Sequence, residues 1–295
     1  MGLKTFINNI RYLARYNIKE MNRRFDEKLD YKHILKIANL LPYLDNKDIK
    51  KANILNVEDT IDLLIKSDKS MVRYGDGEFA LMDGKDIPFQ THHGILSERL
   101  NRIFKSSDEN ILIGISSIYF RIELYKYLDT ANDFLFTYIA EEHKRLLNII
   151  DYDREYISAE ITQIYQIYKE YDFERYFNKI KQIWENKEIV IVCGETVFNN
   201  IDYNIFDNSK SIEYIYAPSK NAFDKYEEIL EKSMKHSKDK LFIIILGPTA
   251  NILAYDLAVK GYRALDFGHI AKDYDAYIKK IERNTKNIYK FFEPD

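Results

Sequence analysis

Two runs of consecutive apolar residues in the C-terminal half of the chain constrain its fold most strongly. They are Glu188–Cys193 (EIVIVC) and Lys240–Leu246 (KLFIIIL). Runs of this length without polar alternation are typical of strands buried on both faces of a parallel sheet. Ile212–Tyr216 and Tyr262–Leu265 are predicted to be neighbouring strands, with amphipathic helices between them. This alternation predicts an α/β, Rossmann-like, mostly parallel sheet with helices on both faces.

The N-terminal half carries weaker patterns of the same kind. Ser70–Tyr74 and Glu109–Ser116 are predicted strands, and Val57–Ser67 is a predicted helix. The stretch from Tyr119 to about Glu185 is rich in tyrosine and favours helices, with one short strand near Tyr156–Ser158. We expect most of these aromatic rings to fill the core.

The first 25 residues predict a basic amphipathic helix. Residues 1–24 hold six Lys and Arg against one Glu, so this segment carries +5 in a chain whose formal net charge is −3. Such a helix either lies in an anionic membrane interface or packs on protein with its basic face in water. With a second short helix at 31–46, it predicts an N-terminal helical extension over 1–46, followed by one domain over 47–295.

Composition excludes several classes of protein. A near balance of 44 Lys and Arg against 47 Asp and Glu argues against a nucleic-acid partner. The single cysteine, Cys193, excludes an intrachain disulfide and a cysteine-based zinc site. No apolar run approaches the ~20 residues that span a bilayer, and no signal peptide is evident. We therefore expect a cytoplasmic protein, in peripheral contact with the inner membrane face if residues 1–25 bind lipid.

The most informative motif follows the first predicted strand. Arg73 and Tyr74 precede a Gly75-Asp76-Gly77-Glu78 sequence, which predicts a tight loop that aims two carboxylates at one point. Oxygen ligands of this kind suit Mg²⁺ or Mn²⁺, which in turn binds a diphosphate. Arg73 is close enough in sequence to pair with a carboxylate or a phosphate. The same four residues are also compatible with an ordinary turn.

Two further motifs follow later strands. Gly247-Pro248-Thr249 ends a buried strand and opens a helix, so its free N–H groups and the Thr249 hydroxyl predict an anion site, although Thr249 is equally suited to cap the helix. Ser219, Lys220 and Asn221 follow the Ile212–Tyr216 strand and are expected to contact the same ligand. Neither motif is a P-loop or a GxGxxG fingerprint, which disfavours P-loop NTPases and nicotinamide dehydrogenases.

The remaining candidates are an acid, a histidine and a second acid. Asp266 and His269 follow the last predicted strand, where His269 is suited to act as a general base and Asp266 as its orienting or metal-facing neighbour. Glu195 follows the strand that ends at Cys193 and is the second candidate base. A lone histidine is more often structural than catalytic, and the pair His92 and His93 is a weak metal motif.

These motifs together resemble a known family, the bacterial GT-D-type glycosyltransferases, first catalogued as a domain of unknown function. The resemblance extends over about residues 57–280. It rests on six motifs in order: Arg73–Glu78, Ile87–Gln90, Ala217–Phe223, Gly247–Ala250, Leu253–Ala258 and Ala264–Ile270. Two segments differ from the usual family pattern, because Ile161–Tyr165 and Cys193–Glu195 each lack a cation that family members carry there or shortly after.

The resemblance implies a Rossmann-like fold and transfer of a sugar from a nucleotide-diphosphate donor, typically a UDP-sugar, to a lipid-linked or protein-linked glycan in surface polysaccharide or glycoprotein synthesis. It also implies a divalent metal, Mn²⁺ or Mg²⁺, held by Asp76 and Glu78. The cofactor-binding set expected around it is Arg73, Gly75, Ser219, Lys220, Asn221, Gly247, Thr249 and Asp266. Two alternatives stay open: an inactive nucleotide-sugar-binding scaffold subunit, and a metal-dependent phosphohydrolase.

Overall fold

The computed structural model describes residues 52–120 and 124–292. The described residues form one eight-stranded sheet in which every paired strand is parallel, with the order β1-β4-β3-β2-β8-β7-β5-β6. The strands are β1 (Asn53–Ile54), β2 (Ser70–Tyr74), β3 (Ile111–Ile115), β4 (Glu155–Ser158), β5 (Glu188–Gly194), β6 (Ser211–Ala217), β7 (Leu241–Ile245) and β8 (Arg263–Asp266).

Helices connect these strands and cover the sheet. The α-helices are α1 (Val57–Lys66), α2 (Asp76–Met82), α3 (Gly94–Phe104), α4 (Asp129–Ile149), α5 (Ile164–Ile167), α6 (Phe173–Ile180), α7 (Tyr226–Met234), α8 (Thr249–Val259), α9 (Ile270–Ile278) and α10 (Thr285–Phe291). Short 3₁₀ segments lie between several of them.

The central strands are buried as their apolar sequences require. Every residue of β7 is buried, and so is every residue of β5 after Glu188. Trp184, just before β5, has no exposed surface, and its indole N–H donates to the carbonyl of Ile205. Burial of apolar side chains on both faces stabilises a parallel sheet by about 25 cal/mol per Å², so these strands hold the core together.

The predicted strand pattern is confirmed, and the parallel α/β sheet with it. All predicted strands are present within a few residues of their expected bounds, including the short one near Tyr156–Ser158. Gly261 ends α8 with φ of +83°, a left-handed conformation that glycine adopts without strain. The order of the strands along the sheet could not be predicted, because the pattern of apolar residues does not encode it.

One local prediction is wrong: Gly75–Glu78 is not a loop. Helix α2 begins at Asp76, and the Glu78 carboxylate accepts a hydrogen bond from the Gly75 N–H at 2.8 Å. Acidic residues in the first turn satisfy free N–H groups and oppose the positive end of the helix dipole, so they favour helix here. Helices α3 and α9 were also missed, although Leu96, Leu100 and Ile103 have helical spacing and are fully buried.

The predicted helices at 1–25 and 31–46, and with them the whole predicted N-terminal extension, lie outside the described residues. Among the helices that the structure does describe, none is long and apolar enough to cross a membrane.

Candidate functional site

A cavity of about 500 Å³ lies at the carboxyl ends of the strands. Its walls come from the segments that follow β2, β3, β4, β5, β6, β7 and β8, together with parts of α4, α5, α9 and α10. Ligands of open parallel sheets bind at this edge, because the loops there diverge and leave a crevice. The predicted position of the site is therefore where the structure has its cavity.

The predicted carboxylates lie at the centre of this edge. Asp76 and Glu78 both line the cavity, and Asp76 is exposed to it. Because protein surrounds the cavity, desolvation raises the pKa of Asp76 above its ordinary value. Desolvation also raises the pKa of Glu78 to about 7, and the neighbouring Asp266 carboxylate adds to this rise. Glu78 uses one oxygen to cap α2, whereas Asp76 faces the cavity from the first helical position.

Arg73 connects three strand ends beneath the cavity. Its Nε donates to the carbonyl of Asp266 at 2.9 Å, and Nη2 donates to the Asp266 carboxylate at 2.9 Å. Nη1 donates to Thr162 Oγ1 at 2.8 Å and to the carbonyl of Ala159 at 3.3 Å. A guanidinium carries five N–H groups, so most of this one is occupied by protein acceptors. Arg73 is held mainly by its neighbours, and of the two partners expected from the sequence, a carboxylate or a phosphate, the structure shows the carboxylate of Asp266.

Gly268 makes this arrangement possible. It adopts φ of +38°, and a Cβ atom built there would lie 2.1 Å from Arg73 Nη2. Its N–H also donates to the Asp266 carboxylate at 3.1 Å. Only glycine leaves room for the guanidinium at this point. Burial raises the pKa of Asp266, and the Arg73 guanidinium opposes that rise.

The described residues lining the cavity carry more acid than base. The acids are Asp76, Glu78, Glu160 and Asp266, and the cations are Arg73 and Lys272. Where these acids are ionised, four carboxylates against two cations favour a metal cation over an unaccompanied diphosphate. In the described part of the chain no group of three or more His, Cys, Asp or Glu side chains is arranged to hold a metal ion by itself. One or two carboxylates are nevertheless sufficient for Mg²⁺ when substrate phosphates complete the coordination.

His269 lies in the cavity wall, surrounded by aromatic rings. The ring centroids of Phe89, Phe291 and Phe292 are 6.2, 5.3 and 5.4 Å from its own. Burial, helped by the positive charges of Lys272 and Arg73, lowers its pKa to about 3. The imidazole is therefore neutral near pH 7 and has a low affinity for a proton, which makes it a weak general base.

The other predicted residues differ in whether they line the cavity. Ser219 and Gly247 line it, whereas Glu195, Lys220, Asn221 and Thr249 do not. Glu195 and Lys220 are exposed. Thr249 is buried, and its hydroxyl has no hydrogen-bond partner in the described structure.

Asn221 instead joins two motifs across the cavity rim. It adopts φ of +53°, its N–H donates to the carbonyl of Phe89 at 2.9 Å, and its side chain accepts from the Thr91 N–H at 2.8 Å. Gln90 strengthens the same junction by accepting from the Phe223 N–H. The segments around Phe89 and Asn221 therefore form one unit, although 131 positions separate them in the chain.

Sequence reasoning missed the side chains after β4 and on α9. Glu160 is buried in the cavity wall, where one oxygen accepts from Ser116 Oγ at 2.6 Å and from Ser117, and the other from the Tyr168 hydroxyl. Gln163, Gln166 and Lys272 also line the cavity. The strand predicted near Tyr156–Ser158 ends where β4 ends. The strand-end rule would have found Glu160, two residues further on, had it been applied to this strand.

The fold and the site define an α/β protein with an acidic crevice at the carboxyl edge of a parallel sheet. Comparison with known proteins identifies the family: residues 71–292 of this chain match the family described as "Glycosyltransferase GT-D fold". The chain belongs to this family. The resemblance noted from the sequence motifs is thereby confirmed.

Relatives in streptococci support the assignment. The chain is 34% identical over 245 residues to the "Probable glycosyl transferase Gly" of Streptococcus gordonii, covering 82% of this chain and 35% of that protein. It is 29% identical over 237 residues to "Glycosyltransferase GlyD" of Streptococcus pneumoniae serotype 4, covering 78% and 28%. The chain thus spans about a third of the length of these curated relatives.

Solved structures agree with the fold. One, described as the highly conserved domain of unknown function 1792 with a distinct glycosyltransferase fold, superimposes with a TM-score of 0.75 at 31% identity, covering 83% of this chain and 86% of that one. Another, described as a new glycosyltransferase from Streptococcus sanguinis, gives a TM-score of 0.73 at 32% identity, covering 78% and 86%.

Proposed function

We propose that this chain is a metal-dependent glycosyltransferase that moves a sugar from a nucleoside-diphosphate donor, a UDP-sugar in the first instance, to a glycan acceptor. The observation that carries the proposal is the excess of carboxylates lining the cavity in a member of the GT-D family. An anionic donor enters such a cavity only if a cation accompanies it. A donor with a bound divalent cation meets that requirement.

Asp76 and Glu78 are the residues that would hold the metal. Asp76 faces the cavity, and Glu78 has a second carboxylate oxygen besides the one that caps α2. Hard oxygen ligands of this kind fit Mg²⁺ or Mn²⁺. When bound, the ion would supply positive charge that neutralises the departing nucleoside diphosphate.

The chain's own residues orient the reactants and contact the acceptor hydroxyl. Arg73 fixes the ends of β2 and β8 through Asp266, so the carboxylates of α2 are presented on a rigid support. His269, neutral in its aromatic surroundings, accepts a hydrogen bond from the acceptor hydroxyl in this proposal. Glu195 is exposed after β5 and stays the second candidate base, to be compared with His269 by substitution.

The acceptor is proposed to be a lipid-linked or protein-linked glycan. The basic segment at 1–25 suits contact with anionic lipid, which would bring the enzyme to a lipid-linked acceptor at a membrane face. Sedimentation with anionic liposomes tests this point by comparing the full chain with one starting near Asp45. Equal sedimentation of the two proteins would contradict it.

Donor hydrolysis tests the activity itself. The full chain is incubated with UDP-glucose, UDP-galactose or UDP-N-acetylglucosamine, with Mn²⁺ or with a chelator, and released UDP is measured. We expect slow release from at least one donor in Mn²⁺ and none with the chelator. Binding that is indifferent to metal, without release, would favour the scaffold alternative. Phosphate release from simple phosphomonoesters would favour a phosphohydrolase.

A further inference from the structure

One end of the cavity is lined mainly by uncharged side chains, and the only charged group of the described wall beside them, Glu160, is engaged by Ser116, Ser117 and Tyr168. This region, here called the neutral lobe, lies beyond the ends of β3 and β4 and next to the first turn of α4. The start of α4 and the end of α5 are joined there, because the Leu128 N–H donates to the carbonyl of Ile167 at 2.9 Å. The neutral lobe consists of Ile118, Tyr119, Thr130, Gln163, Gln166 and Ile167.

Its polar side chains lack partners in the protein. Gln166 is only 4% exposed and lines the cavity, yet no described residue forms a hydrogen bond with its carboxamide. The Gln163 carboxamide is half-buried and is likewise unpartnered within the described structure. The Thr130 hydroxyl is buried and unpartnered too. Polar groups in a protein interior are nearly always hydrogen-bonded, so three groups around one cavity without a protein partner are available to bond to a ligand that enters it.

The backbone that carries the two glutamines is held firmly. The buried Asp273 carboxylate accepts from the N–H groups of Tyr165 at 3.0 Å and Gln166 at 3.1 Å. Arg283 donates to the carbonyls of Tyr165 at 3.1 Å and Tyr168 at 2.6 Å. Fixing the backbone in this way lowers the entropy lost when a ligand binds, as a preorganised site requires.

The chemistry of the neutral lobe suits a sugar ring. A carboxamide both donates and accepts hydrogen bonds, as does each hydroxyl of a sugar. The apolar walls from Ile118, Ile167 and the Tyr119 ring match the C–H faces of such a ring. A phosphate would find no cation among these six residues.

The position of the neutral lobe relates it to the donor. Strand β4 is separated from β2 by β3 alone, so the end of β4 lies two strand spacings, about 10 Å, from the Asp76 end of β2. A sugar attached to a diphosphate at Asp76 would lie between these points. We propose that Gln163 and Gln166 bind the hydroxyl groups of the sugar to be transferred and thereby select the donor. This inference rests on the proposed function.

The test compares a nucleotide with and without its sugar. Affinities for UDP, UDP-glucose, UDP-galactose and UDP-N-acetylglucosamine are measured by calorimetry in Mn²⁺ for the full chain and for Gln163→Leu and Gln166→Leu. The expected result is UDP affinity within about twofold of the parent chain, and a loss of about tenfold per variant for the best-bound UDP-sugar. A tenfold loss corresponds to about 1.4 kcal/mol, within the usual range for one hydrogen bond.

Thermal unfolding provides a second readout and a matched control. Gln166 has no protein partner to lose, so Gln166→Leu should leave Tm unchanged or raise it. Gln90, also buried, accepts from the Phe223 N–H and donates to the carbonyl of Thr91, so Gln90→Leu should lower Tm. A fall in Tm for Gln166→Leu as large as that for Gln90→Leu would assign Gln166 a structural role and overturn the proposal.

The binding outcomes separate this proposal from the proposed function. Equal weakening of UDP and UDP-sugar would place the nucleotide in the neutral lobe and overturn the proposal, with the glycosyltransferase function intact. Unchanged affinity for every UDP-sugar would also overturn it, in favour of a role in binding the acceptor. A parent chain that binds none of the four nucleotides in Mn²⁺ would contradict the UDP-sugar donor that both proposals assume.

Discussion

The charged centre and the neutral lobe of the cavity differ in how their polar groups are satisfied. At the centre, Arg73 and Asp266 are hydrogen-bonded to each other and to neighbouring strand ends, and Glu78 caps its own helix. In the neutral lobe, the side chains of Gln163 and Gln166 have no partner within the described structure. Most charged side chains of this cavity therefore bond to the protein itself, whereas the uncharged amides are the groups that we propose to bind a ligand.

Asp76 is the exception at the charged centre. Its carboxylate is exposed to the cavity, although desolvation raises its pKa. A group kept exposed to a cavity at an electrostatic cost is expected to serve a ligand, since natural proteins tolerate such costs mainly at functional sites. Arg73 and Asp266 thus support the site, and ligand binding by Asp76 is the role proposed above.

The largest expected effect is that of Asp76→Asn on activity. Losing a metal ligand removes several kcal/mol of transition-state stabilisation, so donor hydrolysis should fall by on the order of 10²- to 10³-fold. Unfolding should change little, because the amide relieves a desolvated charge. Asp68→Asn is the matched control, since Asp68 is fully exposed just before the opposite end of β2. Equal activity of the two variants would contradict the metal assignment.

Arg73→Met should have a large effect on stability. It leaves Asp266 buried without its cation, and breaking a buried pair in this way costs about 3–5 kcal/mol. Urea unfolding measures the loss. Arg175→Met is the control, because Arg175 is 70% exposed and lies 3.7 Å from Glu58; such surface pairs contribute about 0–1 kcal/mol. Similar losses of unfolding free energy for both variants would contradict the supporting role of Arg73.

Gly268→Ala should have a smaller effect through the same contact. The new methyl group would clash with the Arg73 guanidinium, and the alanine would be held at a positive φ. Together these two effects should cost about 1–3 kcal/mol of unfolding free energy. In the Arg73→Met background this cost should shrink, because the clashing group is gone. A double-mutant cycle by urea unfolding measures the coupling. Strictly additive losses would show that Gly268 does not act through Arg73.

The smallest effect is a pH dependence from His269. Its pKa is about 3 in the folded protein and 6.5 as the ordinary value, so the unfolded chain takes up a proton as pH falls while the folded chain does not. The contribution of neutral His269 to the free energy of unfolding is therefore fully present above pH 6.5 and is lost as the pH falls towards 3. When the pH is lowered from 7 to 5, the free energy of unfolding of His269→Gln should rise by about 1–2 kcal/mol relative to that of the parent chain.

Urea unfolding at the two pH values measures this gain, with the exposed His92→Gln as control for loss of a histidine. A constant difference between parent and His269→Gln would contradict the buried, neutral imidazole.

Much of the fold was predictable because apolar periodicity reports burial directly. The continuous run at Glu188–Cys193 located a central strand, and the strand-end rule located the site. Strand order and the helix at Asp76 were not predictable in the same way, since the first depends on packing between distant elements and the second on a single side-chain cap at Glu78.

Side-chain roles were harder to predict than positions. Arg73 was expected to pair with a carboxylate or a phosphate, but its partners Asp266 and Thr162 could not be named, because they are distant in sequence and only the fold brings them together. Gln163 lies in the Ile161–Tyr165 segment, which was noted only for the cation that it lacks, and Gln166 belongs to none of the motifs. Their importance becomes visible only when the cavity shows that their amides lack partners.

The central claim is that Asp76 binds a divalent ion that carries the donor diphosphate. The most direct measurement is an anomalous difference map from crystals soaked with Mn²⁺ and UDP. The account predicts one manganese peak in contact with the Asp76 carboxylate and with the diphosphate oxygens. UDP bound with no manganese at Asp76, or manganese bound elsewhere, would contradict it.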